Sequence, residues 1–114
     1  MTKSEIIRKY LGSYETGERK TIENILSEEF IFSSPQDDHI DRAAYFEKCW
    51  PMNTQKPFIP IETIVESGEE AFVIYDCNMS GMKFRNTEYI KFSADKIISV
   101  EVFFGNEIKN YSLN

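Results

Sequence analysis

The chain has 114 residues, of which 41% are hydrophobic, 14% aromatic and 28% charged, a composition typical of a folded protein and not of a disordered one. Thirteen basic against nineteen acidic side chains give a net charge of −6, which argues against nucleic acid or an anionic membrane surface as a partner. We expect a single domain over residues 1–114, because this length is the common size for one core.

The cysteines and the single histidine argue against several kinds of site. Cys49 and Cys77 are too few for a disulfide framework and lack the spacing of metal ligands. Asp37, Asp38 and His39 are interpreted as a solvated turn, because their spacing matches no defined metal geometry. The N-terminus lacks a signal region, and the apolar runs are too short to span a bilayer. We therefore predict a cytoplasmic protein with neither a cofactor nor a metal ion.

Helical spacing of apolar side chains predicts two helices at the start of the chain. The first covers residues 4–15, with Ser4 as its N-cap and Gly17 at its end. Its apolar stripe consists of Ile7, Tyr10, Leu11 and Tyr14. The second covers residues 18–26 and turns three side chains inward: Ile22, Ile25 and Leu26.

A short strand and a third helix follow. The strand runs from Phe30 to Ser33, and Pro35 stops it. Asp41 is placed to cap the third helix, and Pro51 to end it. The helix carries Ala44, Tyr45 and Cys49.

Beyond residue 57 the apolar pattern changes from period 3.6 to period 2. Four strands are predicted, at residues 58–66, 70–80, 83–92 and 96–104, with connections short enough for antiparallel hairpins. Helices followed by a meander predict an α+β fold, in which three helices pack on one face of a curved antiparallel sheet.

An acidic side chain is predicted on the inner face of the third of these strands. Lys83, Arg85 and Lys91 share one parity and must face water. Glu88 belongs to the other parity, whose remaining members are Phe84, Asn86, Ile90 and Phe92. A carboxyl group on an apolar face requires a partner or lines a cavity, since carboxylates are rarely buried unpaired.

The facing strand is ambiguous, because both of its parities are largely apolar. A two-residue loop at Gly81 and Met82 would pair Tyr75 with Glu88, whereas a three-residue loop would pair Asp76 with Glu88. The sequence leaves both registers open at this point.

Four segments together resemble the nuclear-transport-factor-2-like (NTF2-like) superfamily, in its SnoaL-like branch that includes ketosteroid isomerase. They are residues 6–10 followed by 16–18, then 30–35, 41–44 and 96–105, the last reading Lys-Ile-Ile-Ser-Val-Glu-Val-Phe-Phe-Gly. The resemblance covers nearly the whole chain and implies a cone-shaped, cystatin-like domain that encloses a deep apolar pocket, usually in a homodimer.

The resemblance also implies roles for individual residues. Isomerase chemistry uses a tyrosine and a protonated carboxylic acid to stabilise an oxyanion, and a separate carboxylate to move the proton. By position the tyrosine is Tyr10 and the acid is Glu88, while the base position before Pro35 holds Ser34, which is no base. The same alignment turns Asp76 toward the pocket, either as a displaced base or sharing one proton with Glu88.

Two functions follow as hypotheses. The first is a protein that binds an apolar small molecule, and the alternative is an isomerase- or cyclase-type enzyme that stabilises an enolate through Tyr10 and Glu88, with Asp76 as third catalytic candidate. The ligand-contacting candidates are Tyr14, Trp50, Phe72, Ile74, Asn78, Val100 and Phe104. The outer face of the sheet is expected to form the homodimer contact through Thr87, Tyr89, Glu101 and Phe103.

Overall fold

A six-stranded sheet and three helices make up the part of the chain that the computed structural model describes, residues 1–50 and 56–108. The helices are α1 (Lys3–Thr16), α2 (Arg19–Ile25) and α3 (Arg42–Lys48). The strands are β1 (Leu26–Ser33), β2 (Ile40–Asp41), β3 (Ile61–Ser67), β4 (Glu70–Met79), β5 (Met82–Ser93) and β6 (Lys96–Phe103). The α+β class is confirmed.

The N-terminus of α1 is fixed by a capping box one turn before its first buried side chains. The Thr2 hydroxyl accepts from the Glu5 amide at 3.1 Å, and the Glu5 carboxylate accepts from the Thr2 amide at 2.7 Å. The assignment of Ser4 as the cap is therefore wrong. Gly17 ends the helix in the left-handed conformation, at φ 77°, as predicted.

The boundaries of the next elements differ from the prediction by a few residues. Helix α2 ends at Ile25, and β1 begins immediately at Leu26 instead of at Phe30. Ile25 and Leu26 are both buried, as predicted, so burial alone could not mark the change from helix to strand. Asp41 caps α3 as expected, whereas Pro51 lies outside the described residues.

The sheet is mixed, not purely antiparallel. Its strand order is β2-β1-β6-β5-β4-β3, and the three hairpin pairings within β3–β6 are antiparallel as predicted. Strand β1 pairs parallel with β6, at the other end of the chain. Parallel pairing has no hairpin turn to mark it in the sequence, which is why the prediction missed it.

The β4–β5 turn sets which side chains of β4 face the helices. Ser80 and Gly81 form the turn, both at positive φ, and pair Met79 with Met82. Val73 is thereby opposite Glu88, so neither of the two registers that the sequence left open occurs. The inner face of β4 carries Ala71, Val73 and Tyr75, all buried.

The core lies between the three helices and the inner face of the sheet. The outer face is uncovered and exposes Phe72 and Phe103, which are 47% and 48% accessible. No helix in the described ranges is long and apolar enough to cross a membrane.

Candidate active site: a buried glutamate under two tyrosines

The carboxyl group of Glu88 lies at the centre of the inner face of β5 and is 3% exposed. Its neighbours on the same face of β5, Ile90 and Phe92, are buried as the alternation of side chains predicted. Within residues 1–50 and 56–108, no Lys, Arg or His forms an ion pair with Glu88. Hydrogen bonds from neutral groups must therefore stabilise this carboxyl group.

Two tyrosines supply those hydrogen bonds. The hydroxyl of Tyr10, on α1, donates to Oε1 of Glu88 at 2.8 Å. The hydroxyl of Tyr75, on β4, donates to Oε2 at 2.5 Å. Tyr75 is opposite Asn86, so it reaches Glu88 along the diagonal between neighbouring strands. Each carboxyl oxygen thus has one tyrosine donor.

Burial determines the protonation of these groups. Desolvation raises the pKa of Glu88, and the hydrogen bonds from Tyr75 and Tyr10 oppose that rise. Burial and then the negative charge of Glu88 raise the pKa of both Tyr10 and Tyr75 well above the usual range. Both hydroxyls therefore keep their protons and remain donors at neutral pH.

More tyrosines extend the polar cluster toward α3. Tyr14 lies one turn beyond Tyr10 on α1, and the two rings meet edge to face at 5.8 Å between centroids. The hydroxyls of Tyr14 and Tyr45 are hydrogen-bonded to each other. These contacts fix α1 and α3 around the same polar centre.

A cavity of about 420 Å³ opens from this cluster toward the loops. The volume is in the range of small-molecule sites in proteins. Its lining is Tyr10, Leu11, Tyr14, Phe32, Ser34, Gln36, Asp37, Lys48, Cys49, Pro57, Ile59, Tyr75, Cys77, Met79, Asn86, Glu88, Val102 and Phe104. Most of these side chains are apolar or aromatic, with Glu88 as a buried polar group among them.

A second carboxyl group, that of Asp37, lines the cavity from the loop after β1. The amide of Asp37 donates to the Ser34 hydroxyl at 3.2 Å, and the Cys49 thiol lies 3.6 Å from Oδ2 of Asp37. Burial and the nearby Asp37 charge raise the pKa of Cys49 to about 11, so the thiol stays protonated and donates to Asp37. Ser34, at the base position implied by the resemblance, here fixes the turn that places Asp37.

Four of the predicted site residues line the cavity: Tyr10, Tyr14, Glu88 and Phe104. Two others are core residues outside the lining. Val100 is fully buried in β6, and Trp50 packs against Tyr14 with 6.3 Å between ring centroids.

The predicted pocket-facing parity of β4 is wrong. Four predicted site residues belong to the outer face of β4: Phe72, Ile74, Asp76 and Asn78. Asp76 accepts from Nε of Arg85 at 3.0 Å and lies 3.4 Å from Nζ of Lys83. It therefore belongs to an ion-pair cluster on the outer face and cannot share a proton with Glu88.

The sequence prediction missed Tyr75 and Asp37 at the site. One of the two registers considered placed Tyr75 on the inner face, opposite Glu88. A tyrosine hydroxyl can donate a hydrogen bond to a buried carboxyl group, and this was the signal that could have identified Tyr75. Asp37 had no such signal, because a loop segment carries no periodicity from which its direction can be read.

Comparisons with known proteins agree with this architecture. No protein-family model matches the chain, and no curated protein matches it. Among solved structures, an NTF2-like protein of unknown function from Cytophaga hutchinsonii is 20% identical, with a TM-score of 0.76 over 91% of this chain and 90% of that one.

Two further structures carry names that suggest enzymes. A provisionally assigned ketosteroid isomerase from Kribbella flavida has a TM-score of 0.79 at 13% identity, over 92% of this chain and 78% of its own. A provisionally assigned polyketide cyclase from Sinorhizobium meliloti has a TM-score of 0.75 at 12% identity, over 86% and 93%. At these identities the likeness concerns the fold, and the chain has the NTF2-like fold.

Replacing Glu88 by glutamine is expected to change how stability depends on pH. Because the pKa of Glu88 is raised in the folded chain, the unfolded chain loses this proton first as the pH rises above the usual value of 4.5. Between the pKa of Glu88 in the unfolded chain and its pKa in the folded chain, the free energy of unfolding of the wild type therefore falls relative to that of Glu88→Gln as the pH rises. Above the pKa of the folded chain, the difference between the two proteins stays constant. Urea unfolding of both proteins across pH measures this difference.

The exposed Glu28→Gln variant, on β1, is the matched control and should lack this trend. A difference between Glu88→Gln and wild type that does not change with pH would contradict the assignment of a raised pKa to Glu88.

Proposed function

We propose that this protein binds a small, largely apolar molecule in the cavity above Glu88. The observation that carries the proposal is a buried carboxyl group, bonded to Tyr10 and Tyr75 and without a protein cation among the described residues, at the inner end of a 420 Å³ cavity. Burying a carboxyl group costs free energy, and a protein that only needed a core would fill this position with an apolar side chain.

The distribution of polar groups supports a ligand with one polar end. Polar groups of the cavity lie at its inner end, around Glu88, and in the loop that holds Ser34 and Asp37. The rest of the lining is mostly aromatic and aliphatic, with side chains such as Phe32, Ile59 and Val102. Such a lining favours a hydrocarbon body, whereas the few polar groups orient one end of the ligand.

Titration calorimetry with substituted phenols of graded acidity tests the proposal. We expect saturable binding to the wild type, because a phenol fits an aromatic lining and offers a hydroxyl to the polar cluster. The Tyr10→Phe variant should bind about tenfold more weakly, since the ligand loses the hydrogen bond that its hydroxyl makes to the phenolic oxygen of Tyr10.

Tyr89→Phe is the matched control. Tyr89 lies on the outer face of the sheet, where its hydroxyl donates to Glu70, and its loss should leave phenol affinity unchanged. Absence of binding to the wild type, or an equal loss in both variants, would refute a ligand site beside Tyr10.

An enzymatic function is the second candidate, and the position of Asp37 favours it. Asp37 and Glu88 line the same cavity, so a carboxylate on the loop after β1 is placed to act as a base beside the Glu88 cluster. In this reaction Asp37 takes a proton from the carbon beside a carbonyl group. Tyr10, accepting a hydrogen bond from protonated Glu88, donates to the oxygen that becomes the enolate. Return of the proton to carbon completes the isomerisation or exchange.

Deuterium exchange at the α-carbon of a cyclic ketone in heavy water, followed by NMR, tests this second candidate. The wild type should accelerate exchange above the buffer rate, and Asp37→Asn should lower that acceleration by about 10²- to 10⁴-fold. Asp38→Asn removes the neighbouring exposed carboxylate and should have no effect. Equal rates for Asp37→Asn and wild type would exclude Asp37 as the base.

We infer that a second copy of the chain covers the outer face of the sheet. Phe72 and Tyr89 stack there at 4.8 Å between centroids, and Phe103 lies on the same face of β6. Thr87 is opposite Phe103, and Glu101 opposite Tyr89, so the face combines aromatic and polar side chains. A patch of this kind favours association over exposure to water.

Analytical ultracentrifugation at micromolar concentration tests this association. The wild type should sediment as a dimer and Phe103→Asp as a monomer, because the variant buries an unpaired charge in the interface. Asn106→Asp introduces the same charge at an exposed position three residues later and should remain dimeric. A monomeric wild type would remove the proposal.

A further inference from the structure

We propose that the polar end of the ligand is a hydrogen-bond donor with positive charge, a protonated amine, which pairs with the Glu88 carboxylate. This inference rests on the proposed ligand-binding function and names the chemical class of the ligand. It concerns the inner end of the cavity, where Tyr10, Tyr75 and Glu88 meet.

The direction of the two tyrosine hydrogen bonds is the first reason. A phenolic hydroxyl has one proton, and Tyr10 and Tyr75 each donate theirs to Glu88. What remains for a ligand at this carboxylate is the second lone pair of each of its two oxygens. A ligand that donates hydrogen bonds finds two charged acceptor oxygens here, whereas a carbonyl or an enolate oxygen finds both tyrosine protons already in use.

The missing counter-ion is the second reason. A buried carboxylate that accepts only neutral donors is stabilised further by a cation within a few ångströms. No protein cation in the described ranges pairs with Glu88, so a cation on the ligand would supply that interaction. Lys48 lines the cavity but is exposed on α3, at its solvent side.

The aromatic lining is the third reason. Tyr10, Tyr14, Tyr75 and Phe32 all contribute to the cavity wall. The faces of such rings carry negative electrostatic potential and attract ammonium groups. The same rings contact the hydrocarbon part of the ligand, so one lining serves both parts of an apolar amine.

The groups around Glu88 give this binding a defined pH dependence. The titratable and charged side chains on the surrounding elements are Tyr10 and Tyr14 of α1, Tyr45 and Lys48 of α3, Tyr75 and Cys77 of β4, and Asp37 and Cys49 in the connecting segments. The tyrosines and Cys49 stay protonated at neutral pH, because burial raises their pKa values. Glu88 is then the group at the inner end of the cavity whose charge changes.

The sign of the pH effect separates an amine from an oxyanion. An ammonium group requires ionised Glu88, so amine affinity increases as the pH rises through the pKa of Glu88 and the proton is released to solvent. A carbonyl or enolate oxygen requires Glu88 to hold a proton, since one tyrosine must accept from Glu88 before it can donate to the ligand. Affinity for such a ligand decreases over the same interval.

Three ligands of nearly equal shape provide the test: 1-phenylethylamine, 1-phenylethanol and acetophenone. Titration calorimetry between about pH 5 and about pH 8 covers an interval in which the amine stays protonated. We expect the amine to bind at least about tenfold more tightly than the other two at the upper end, and its affinity to rise with pH. Glu88→Gln should remove both the preference and the pH dependence, while the exposed Glu28→Gln should retain them.

The wild type alone keeps the test decisive if Glu88→Gln fails to fold, since the sign of its pH dependence is measured without a variant. Amine affinity that falls or stays constant as the pH rises overturns the proposal. Tighter binding of acetophenone or 1-phenylethanol also overturns it, and leaves the ligand-binding function standing. Binding of none of the three overturns both.

Discussion

The bonds from Tyr10 and Tyr75 to Glu88 connect parts of the molecule that are far apart in the chain. Tyr10 belongs to α1, and Tyr75 and Glu88 belong to neighbouring strands of the sheet, so one carboxyl group joins the helical layer to the sheet. The burial that makes the carboxyl group costly also strengthens its hydrogen bonds, because the surroundings have a low dielectric constant. Structure and candidate function therefore depend on the same atoms, because Tyr10, Tyr75 and Glu88 also line the cavity.

The protonation state of Glu88 determines whether the cluster of Glu88, Tyr10 and Tyr75 binds a hydrogen-bond donor or an acceptor on the ligand. With the carboxyl group ionised, both tyrosine protons point at it, and neither is available to a ligand. With the carboxyl group protonated, one tyrosine can turn its proton outward and offer a donor. The ionised state therefore binds a ligand that donates hydrogen bonds, and the protonated state binds one that accepts them. Because burial raises the pKa of Glu88, the free-energy difference between the ionised and protonated states at neutral pH is smaller than for an exposed carboxyl group.

Local patterns predicted most of the elements. Helical spacing gave three helices, and alternation gave the meander and the inward direction of Glu88, because these signals depend on a few neighbouring residues. The errors have non-local causes. The parallel pairing of β1 with β6 joins strands that are far apart in the sequence, and the side chains of β4 gave no parity signal because both of its faces carry apolar residues. Without such a signal, Asp76 was assigned to the cavity from the family resemblance alone, and Tyr75 and Asp37 were missed.

The turn at Ser80 and Gly81 has a consequence for how such a cavity can change. Both residues adopt positive φ, a conformation that keeps the loop at two residues and fixes the register of β4 against β5. A register shift by one residue, caused by an insertion in this turn, would exchange the two faces of β4. Tyr75 would then face solvent, and Asp76 would lie beside Glu88. Two carboxyl groups would then replace a carboxyl–phenol pair without a single substitution in either strand. The length of the Ser80–Gly81 turn therefore determines which side chains of β4 face the cavity. A single insertion there is a short mutational route by which related chains can come to bind different ligands.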